Sequence, residues 1–199
     1  LQKAVEISLV SYFWGDGLMS IISTVMEFIH LLQNRRSKRK FTTQKVESEK
    51  VETLMRAALM SPTGKRKNHW DFIFVEMPET LAKLSECKPH GAKLIAGAPL
   101  AVVVIGDPQQ SDTWVEDCSI ASIILQLQAE ALGLGSCWVQ VHNREHDSTT
   151  MADTYIKTLL GIPETKAVLS VIAIGYPDET KKPFDLSELM QEKIHREGF

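Results

Sequence analysis

The stretch Leu100-Ala101-Val102-Val103-Val104-Ile105-Gly106 decides the fold. It is short, β-branched and uncharged, the pattern of a buried strand. Ahead of it, Lys88-Pro89-His90-Gly91-Ala92 turns the chain and Ala98-Pro99 leads into the strand. Behind it, residues 117–134 carry Ile120, Ile123, Ile124, Leu127, Ala131 and Leu134 on one helical face and Ala121, Leu125 and Leu132 on others. A helix apolar on most sides belongs at the centre of a fold or at a subunit interface. Further out, 136–141 reads as a strand, 151–160 as a helix closed by Gly161-Ile162-Pro163, and 168–175 as the last strand before Tyr176-Pro177. Upstream, Ser48 is placed to cap a helix bearing Val51, Leu54, Met55, Ala58 and Leu59 at helical spacing, which stops at Ser61-Pro62. A polar loop, 63–70, then runs into a strand at 71–76 and a short helix at 79–86. Helices outnumber strands and do not alternate regularly with them. The expectation is an α+β sandwich with helices around one mixed sheet.

The second informative stretch is Arg35-Arg36-Ser37-Lys38-Arg39-Lys40-Phe41. Five cations in six positions follow an apolar stripe at Phe28, Ile29, Leu31 and Leu32, so the charges emerge where a helix ends. Arginine forks and a serine hydroxyl suit phosphate oxygens; a solvated basic face or a nucleic-acid patch is the alternative. Lys+Arg 22 against Asp+Glu 25 leaves the 199-residue chain at −3, so the basic charge is local and nucleic acid is a poor partner. The length suits one domain. No apolar run reaches the ~18 residues of a membrane span. Cys87, Cys118 and Cys137 are odd in number and widely spaced, which argues against a disulfide framework and places the protein in a reducing compartment, the cytoplasm. Residues 1–25, ahead of Met26, read as an N-terminal extension or expression remnant, or as an arm packing on a partner.

Other constellations carry less. His142 and His146 with Cys137 nearby invite a metal, but no helix aligns the two histidines. Cys137 lacks a paired base and reads as a small buried residue. Glu116 and Asp117 read as partners of the helix dipole. No G-x-G-x-x-G follows a strand, so no resident nicotinamide domain is encoded.

Several segments together resemble the FMN-dependent nitroreductase family: Arg35-Arg36-Ser37-x-Arg39-x-Phe41, Ser61-Pro62-Thr63 leading to Trp70, Ala98-Pro99, Gly133-Leu134-Gly135-Ser136-Cys137-Trp138, and Ile174-Gly175-Tyr176-Pro177. The resemblance implies a three-layer sandwich with a mixed, mainly antiparallel sheet, in a homodimer that exchanges terminal segments and holds two FMN molecules at its interface. It makes 26–199 one FMN-binding domain. Carried over, it puts Arg35, Arg36, Ser37 and Arg39 on the FMN phosphate and ribityl end, joined by Lys181 or Lys182. Ser61, Pro62 and Thr63 would line the flavin edge from the partner subunit, with Asn68 adding a polar contact. His90 and Gly91 stand where the family has a flavin-contacting amide, and the backbone around Trp138, Val139 and Gln140 would face the isoalloxazine.

The resemblance departs at Gly64-Lys65-Arg66-Lys67-Asn68-His69-Trp70, where the family commonly writes G-x-N-x-Q-P-W. Three successive cations there suit a pocket mouth that favours anionic ligands, or a solvated loop. The activity implied is hydride transfer from NADH or NADPH through flavin to a small electron-poor acceptor such as a nitroaromatic or quinone, by a ping-pong scheme. Dehalogenation or flavin fragmentation on the same fold, or a flavin-binding module without turnover, are the alternatives.

Overall fold

The structure is a computed structural model that describes residues 28–199. The reading of 1–25 and of Met26 lies outside the described residues. Among the described residues, five α-helices and four strands follow in the order α1 (Phe28–Asn34), α2 (Ser48–Leu59), β1 (Trp70–Val75), α3 (Pro78–Leu84), β2 (Leu100–Gly106), α4 (Trp114–Ala131), β3 (Gly135–Gln140), α5 (Ala152–Leu160) and β4 (Ala167–Gly175). Helix and strand thus alternate from α2 onward, more regularly than expected, but in an antiparallel sheet. The strands form one sheet in the order β1-β2-β4-β3, so β1 and β3 are its edges. All three ladders are antiparallel, and the parallel component is confined to an isolated bridge between Ser37 and Ser136.

β2 is buried along its whole length, as its composition requires. Its odd-numbered residues Ala101, Val103 and Ile105 pack with Leu81 and Leu84 of α3 and Ile156 of α5. Its even-numbered residues Leu100, Val102 and Val104 pack with Leu54 of α2 and Leu125 of α4. The side-chain period of 2 thus sorts one strand between two helical layers, which is the three-layer sandwich. A register shift between Val104 and Ile105 leaves Leu169 and Ser170 of β4 both toward α4, where the Ser170 and Ser122 hydroxyls meet at 3.1 Å.

Two local expectations are corrected. Ser48 is the first residue of α2 rather than its cap; Glu47 holds the N-cap position without a side-chain cap bond. The Glu47 carboxylate instead accepts from the Tyr176 hydroxyl at 2.7 Å, and Lys50 donates to that same hydroxyl at 2.7 Å, pinning the start of α2 to the end of β4. The central helix starts at Trp114, three residues early: the Asp117 N–H already donates to the Thr113 carbonyl at 2.9 Å, and the Asp117 carboxylate accepts from the distant Gly64 N–H. Among the described residues no helix is long and apolar enough to cross a membrane.

Candidate functional site

The segment 35–41 runs along the outer edge of β3. Lys38 N–H donates to the Ser136 carbonyl at 2.9 Å, Thr42 N–H to the Tyr176 carbonyl at 2.9 Å, and Asp178 N–H to the Lys40 carbonyl at 2.9 Å. The crossing is close: a Cβ on Gly135 would lie 2.8 Å from Lys38 Cγ, so glycine is what lets the segment pass. Because the peptide groups of Ser136 face outward, strand alternation turns those of Trp138 and Gln140 to the same open edge, while Val141 N–H points inward to the Leu169 carbonyl at 3.0 Å. The Trp138 indole donates to Gln140 Oε1 at 2.9 Å, and Gln140 Nε2 to the His142 carbonyl at 3.0 Å, so these side chains brace the edge.

The structure brings the expected phosphate set together and divides it. Arg36 donates to the Lys182 carbonyl and lies 4.7 Å over the Phe184 ring, holding the segment after β4 against the end of α1. Phe184 N–H reinforces this with a bond to the Gln33 carbonyl at 2.9 Å. Lys181 pairs with Glu179 at 2.9 Å. Glu179 also accepts from the Arg39 N–H at 2.5 Å and the Lys40 N–H at 3.3 Å. The Arg39 amide first, then Lys181, hold its carboxyl down to about 2. Arg36 and Lys181 are therefore occupied by the protein itself, whereas the guanidiniums of Arg35 and Arg39 form no ion pair among the described residues. Ser37 is half-buried between them.

At the other end of β3 lies a residue that sequence reading took only as part of a turn. The Lys88 ammonium donates to the Gln140 carbonyl at 3.0 Å. Its stem runs under Gly91, whose φ of +77° only glycine adopts without strain, and a Cβ there would lie 3.9 Å from Lys88 Nζ. Lys88 thereby joins the exposed His90–Gly91 turn to the edge strand.

Ser61, Pro62, Thr63 and Asn68 lie elsewhere. The Ser61 hydroxyl donates to the Ala57 carbonyl at 3.3 Å at the end of α2, Pro62 is exposed, and Thr63 Oγ1 accepts from the Asn68 N–H at 3.0 Å. Gly64 N–H donates to Asp117 Oδ1 at 2.9 Å, and a Cβ on Gly64 would strike Thr113 Oγ1 at 2.6 Å. Asp117, buried and also facing the Ser111 and Thr113 hydroxyls at 3.5 and 3.3 Å, is the anchor of this loop and not a simple dipole partner. No hydrogen bond ties residues 61–68 to the 35–41 segment or to β3 within one chain, among the described residues. His142 is set edge-on to Trp114 at 4.8 Å and His146 stacks on Tyr155 at 4.2 Å, so the two imidazoles are parted among aromatic neighbours. Cys137 is buried, and desolvation raises its thiol pKa.

The family model for the nitroreductase family matches residues 32–88 and 78–176, which takes in the cation segment, the 61–70 loop and the whole sheet. The chain belongs to the nitroreductase family. It is 35% identical over 176 residues to an Archaeoglobus fulgidus protein provisionally named as an NADH dehydrogenase/NAD(P)H nitroreductase, covering 86% of this chain and 98% of that protein. A Methanothermobacter thermautotrophicus protein with the same provisional name is 35% identical over 175 residues, covering 86% and 87%. Among solved structures, an FMN-dependent nitroreductase from Clostridium difficile R20291 superposes with a TM-score of 0.85 at 44% identity, covering 86% of this chain and 99% of that one. As a nitroreductase-family chain, the protein is an oxidoreductase.

Proposed function

We propose that this nitroreductase-family chain is an FMN-dependent enzyme that takes hydride from NADH or NADPH and reduces a small electron-poor acceptor such as a nitroaromatic or a quinone. The observation that carries this reading is the open edge of β3, which offers the outward peptide groups of Trp138 and the outward N–H of Gln140 between uncommitted arginines at one end and Lys88, on the Gln140 carbonyl, at the other. The residues present fit FMN: Arg35, Ser37 and Arg39 match a phosphate, and the strand edge matches the hydrogen-bonding rim of a planar ring. Bound there, FMN supplies hydride acceptance at N5 and electron delivery to the acceptor. The chain's own part is to grip the phosphate, hold the 181–184 segment through Arg36, and orient the ring by its rim. The names of the archaeal relatives and of the C. difficile neighbour support the donor and the cofactor. With no second nucleotide motif in the sequence, donor and acceptor take turns, and ping-pong kinetics follow.

The working form in this reading is a homodimer. β1, the other edge of the sheet, borders a mainly apolar cleft of about 410 Å³ lined by Met55, Leu59, Trp70, Asp71, Phe72 and Phe74. The tail leaves Phe184, Leu186, Leu189, Met190, Ile194 and Phe199 exposed. Two apolar surfaces that one chain cannot cover support exchange of the tail between two copies, with the 61–68 loop serving the partner's flavin. Free, buried Cys87, Cys118 and Cys137 suit a reducing, cytoplasmic setting.

The test is the visible spectrum of the purified protein, followed by NAD(P)H oxidation with a quinone. A flavin spectrum that bleaches fully with NAD(P)H alone, and parallel double-reciprocal lines, are expected; a colourless protein that does not take up added FMN overturns the reading. A second reading, a flavin-binding module without turnover, draws on the altered loop, where Lys65, Arg66 and Asn68 all adopt left-handed φ of 53–55°. Bound FMN that NAD(P)H cannot reduce would favour it.

A further inference from the structure

The His90–Gly91 turn and the end of β3 are far apart in sequence, and one side chain joins them. Lys88 Nζ reaches the carbonyl of Gln140 across 52 residues at 3.0 Å. The carbonyl it caps is an outward one, beside the unpaired N–H groups of the β3 edge, so without Lys88 this end of the strand has no partner on that side among the described residues. The lysine is half-buried, and among the described residues no carboxylate forms an ion pair with it. The titratable groups facing it are the Cys87 thiol on its own turn and the Cys137 thiol of β3, both kept neutral by burial, and the Arg144 guanidinium on the loop after β3. Desolvation, with repulsion from Arg144, lowers its pKa from the ordinary lysine value. A partly desolvated cation with no counter-ion is costly unless something nearby gains negative charge. A lysine held only to brace a turn could be replaced by a neutral donor at less cost.

We propose that Lys88 is a positioning residue for the redox centre: its ammonium fixes the Gln140 end of the β3 edge, and its uncompensated charge favours the reduced form of a ring bound along that edge. This rests on the FMN reading. A ring that accepts hydride gains electron density, and a nearby fixed cation stabilises that state over the oxidised one. The 35–41 cations grip the phosphate end; Lys88 acts at the ring end, so affinity and reduction potential are set by different residues.

The experiment is an anaerobic dye-equilibration titration of the FMN-loaded protein and its Lys88→Met variant, with FMN affinity measured beside it. Expected is affinity for oxidised FMN within about threefold of the original, and a midpoint potential lowered enough to shift the reduced-to-oxidised ratio tenfold, which is about 30 mV for a two-electron couple. Lys88→Arg should restore most of the potential, which a purely space-filling role would not require. Should Lys88→Met fail to fold, Lys88→Gln keeps an N–H donor for the Gln140 carbonyl, loses only charge, and should give the same drop. A potential unchanged in a folded, FMN-loaded neutral variant overturns the proposal while leaving the FMN reading intact. A wild-type protein that takes up no FMN overturns the FMN reading, and this proposal with it.

Discussion

The two edges of this sheet are opposite solutions to the same exposed backbone. β3 is bordered by charge: the 35–41 segment covers its first half, Lys88 caps its last carbonyl, and a polar gap remains between them. β1 is bordered by hydrocarbon. The bond from Asp107 N–H to the His69 carbonyl, 3.0 Å, sets its phase, so the peptide groups of Trp70, Phe72 and Phe74 face outward beside a mainly apolar cleft, and the buried Trp70 indole N–H has no partner among the described residues. An edge of the first kind suits a small charged ligand that brings its own polar rim. An edge of the second kind suits a chain that brings apolar side chains and carbonyls.

The largest effect should come from stripping charge at β3. Replacing Arg35 and Arg39 together by Ala removes charge-assisted contacts of about 1.5–3 kcal/mol each. The protein should purify nearly colourless while melting close to wild type; unchanged FMN affinity in an equilibrium titration breaks the assignment of this edge to phosphate.

Adding charge at β1 tests the other half. Phe74→Lys, at the rim of the apolar cleft, should cost about 2–4 kcal/mol of association, as for a central interface residue, and shift light scattering from dimer to monomer at low micromolar concentration. If residues 61–68 serve the partner's flavin, as proposed, flavin content should fall with it. A wild-type monomer with full flavin content removes the contrast altogether.

A smaller effect separates the resident anion from the ligand. Glu179 titrates at about 2 when folded, well below the ordinary value of roughly 4.3. A depressed carboxylate pKa stabilises the fold above the unfolded value, and that contribution fades as pH falls from about 4.3 toward 2. Thermal melts should therefore show wild type above Glu179→Gln by on the order of a few degrees at neutral pH, with the gap closing below about pH 4. A gap independent of pH would mean that Glu179 acts by shape alone.

The smallest effect concerns the loop at residues 64–70. Lys65, Arg66 and Lys67 are exposed and form no ion pairs among the described residues. Neutralising all three to Gln should raise KM for the phosphate-bearing donor by about 2- to 10-fold and leave reoxidation by a neutral quinone near its original rate. Equal effects on both half-reactions would show that the loop shapes the site and does not select charge.

What the sequence determined by itself were properties carried by short spans. β-branched runs at 100–106 and 168–175 read as strands, the 35–40 cations emerge at a helix end, and a helix apolar on most sides over 117–134 belongs at the centre of the fold or at a subunit interface; the structure places these elements at 100–106, 167–175 and 114–131. Each is fixed by periodicity within a dozen residues. Tertiary structure decided everything that depends on strand order and register. It gave Lys88 to Gln140 across 52 residues, Gly64 to Asp117 across 53, and Glu179 to Arg39 across 140. No local pattern marks Lys88 or Glu179, because a lysine in a turn and a glutamate in a tail look like ordinary solvated charges until the sheet order β1-β2-β4-β3 leaves β3 at an edge and brings them to it. The same order left β1 open on the far side, which a run of Trp70, Phe72 and Phe74 alone could equally have buried within the sheet.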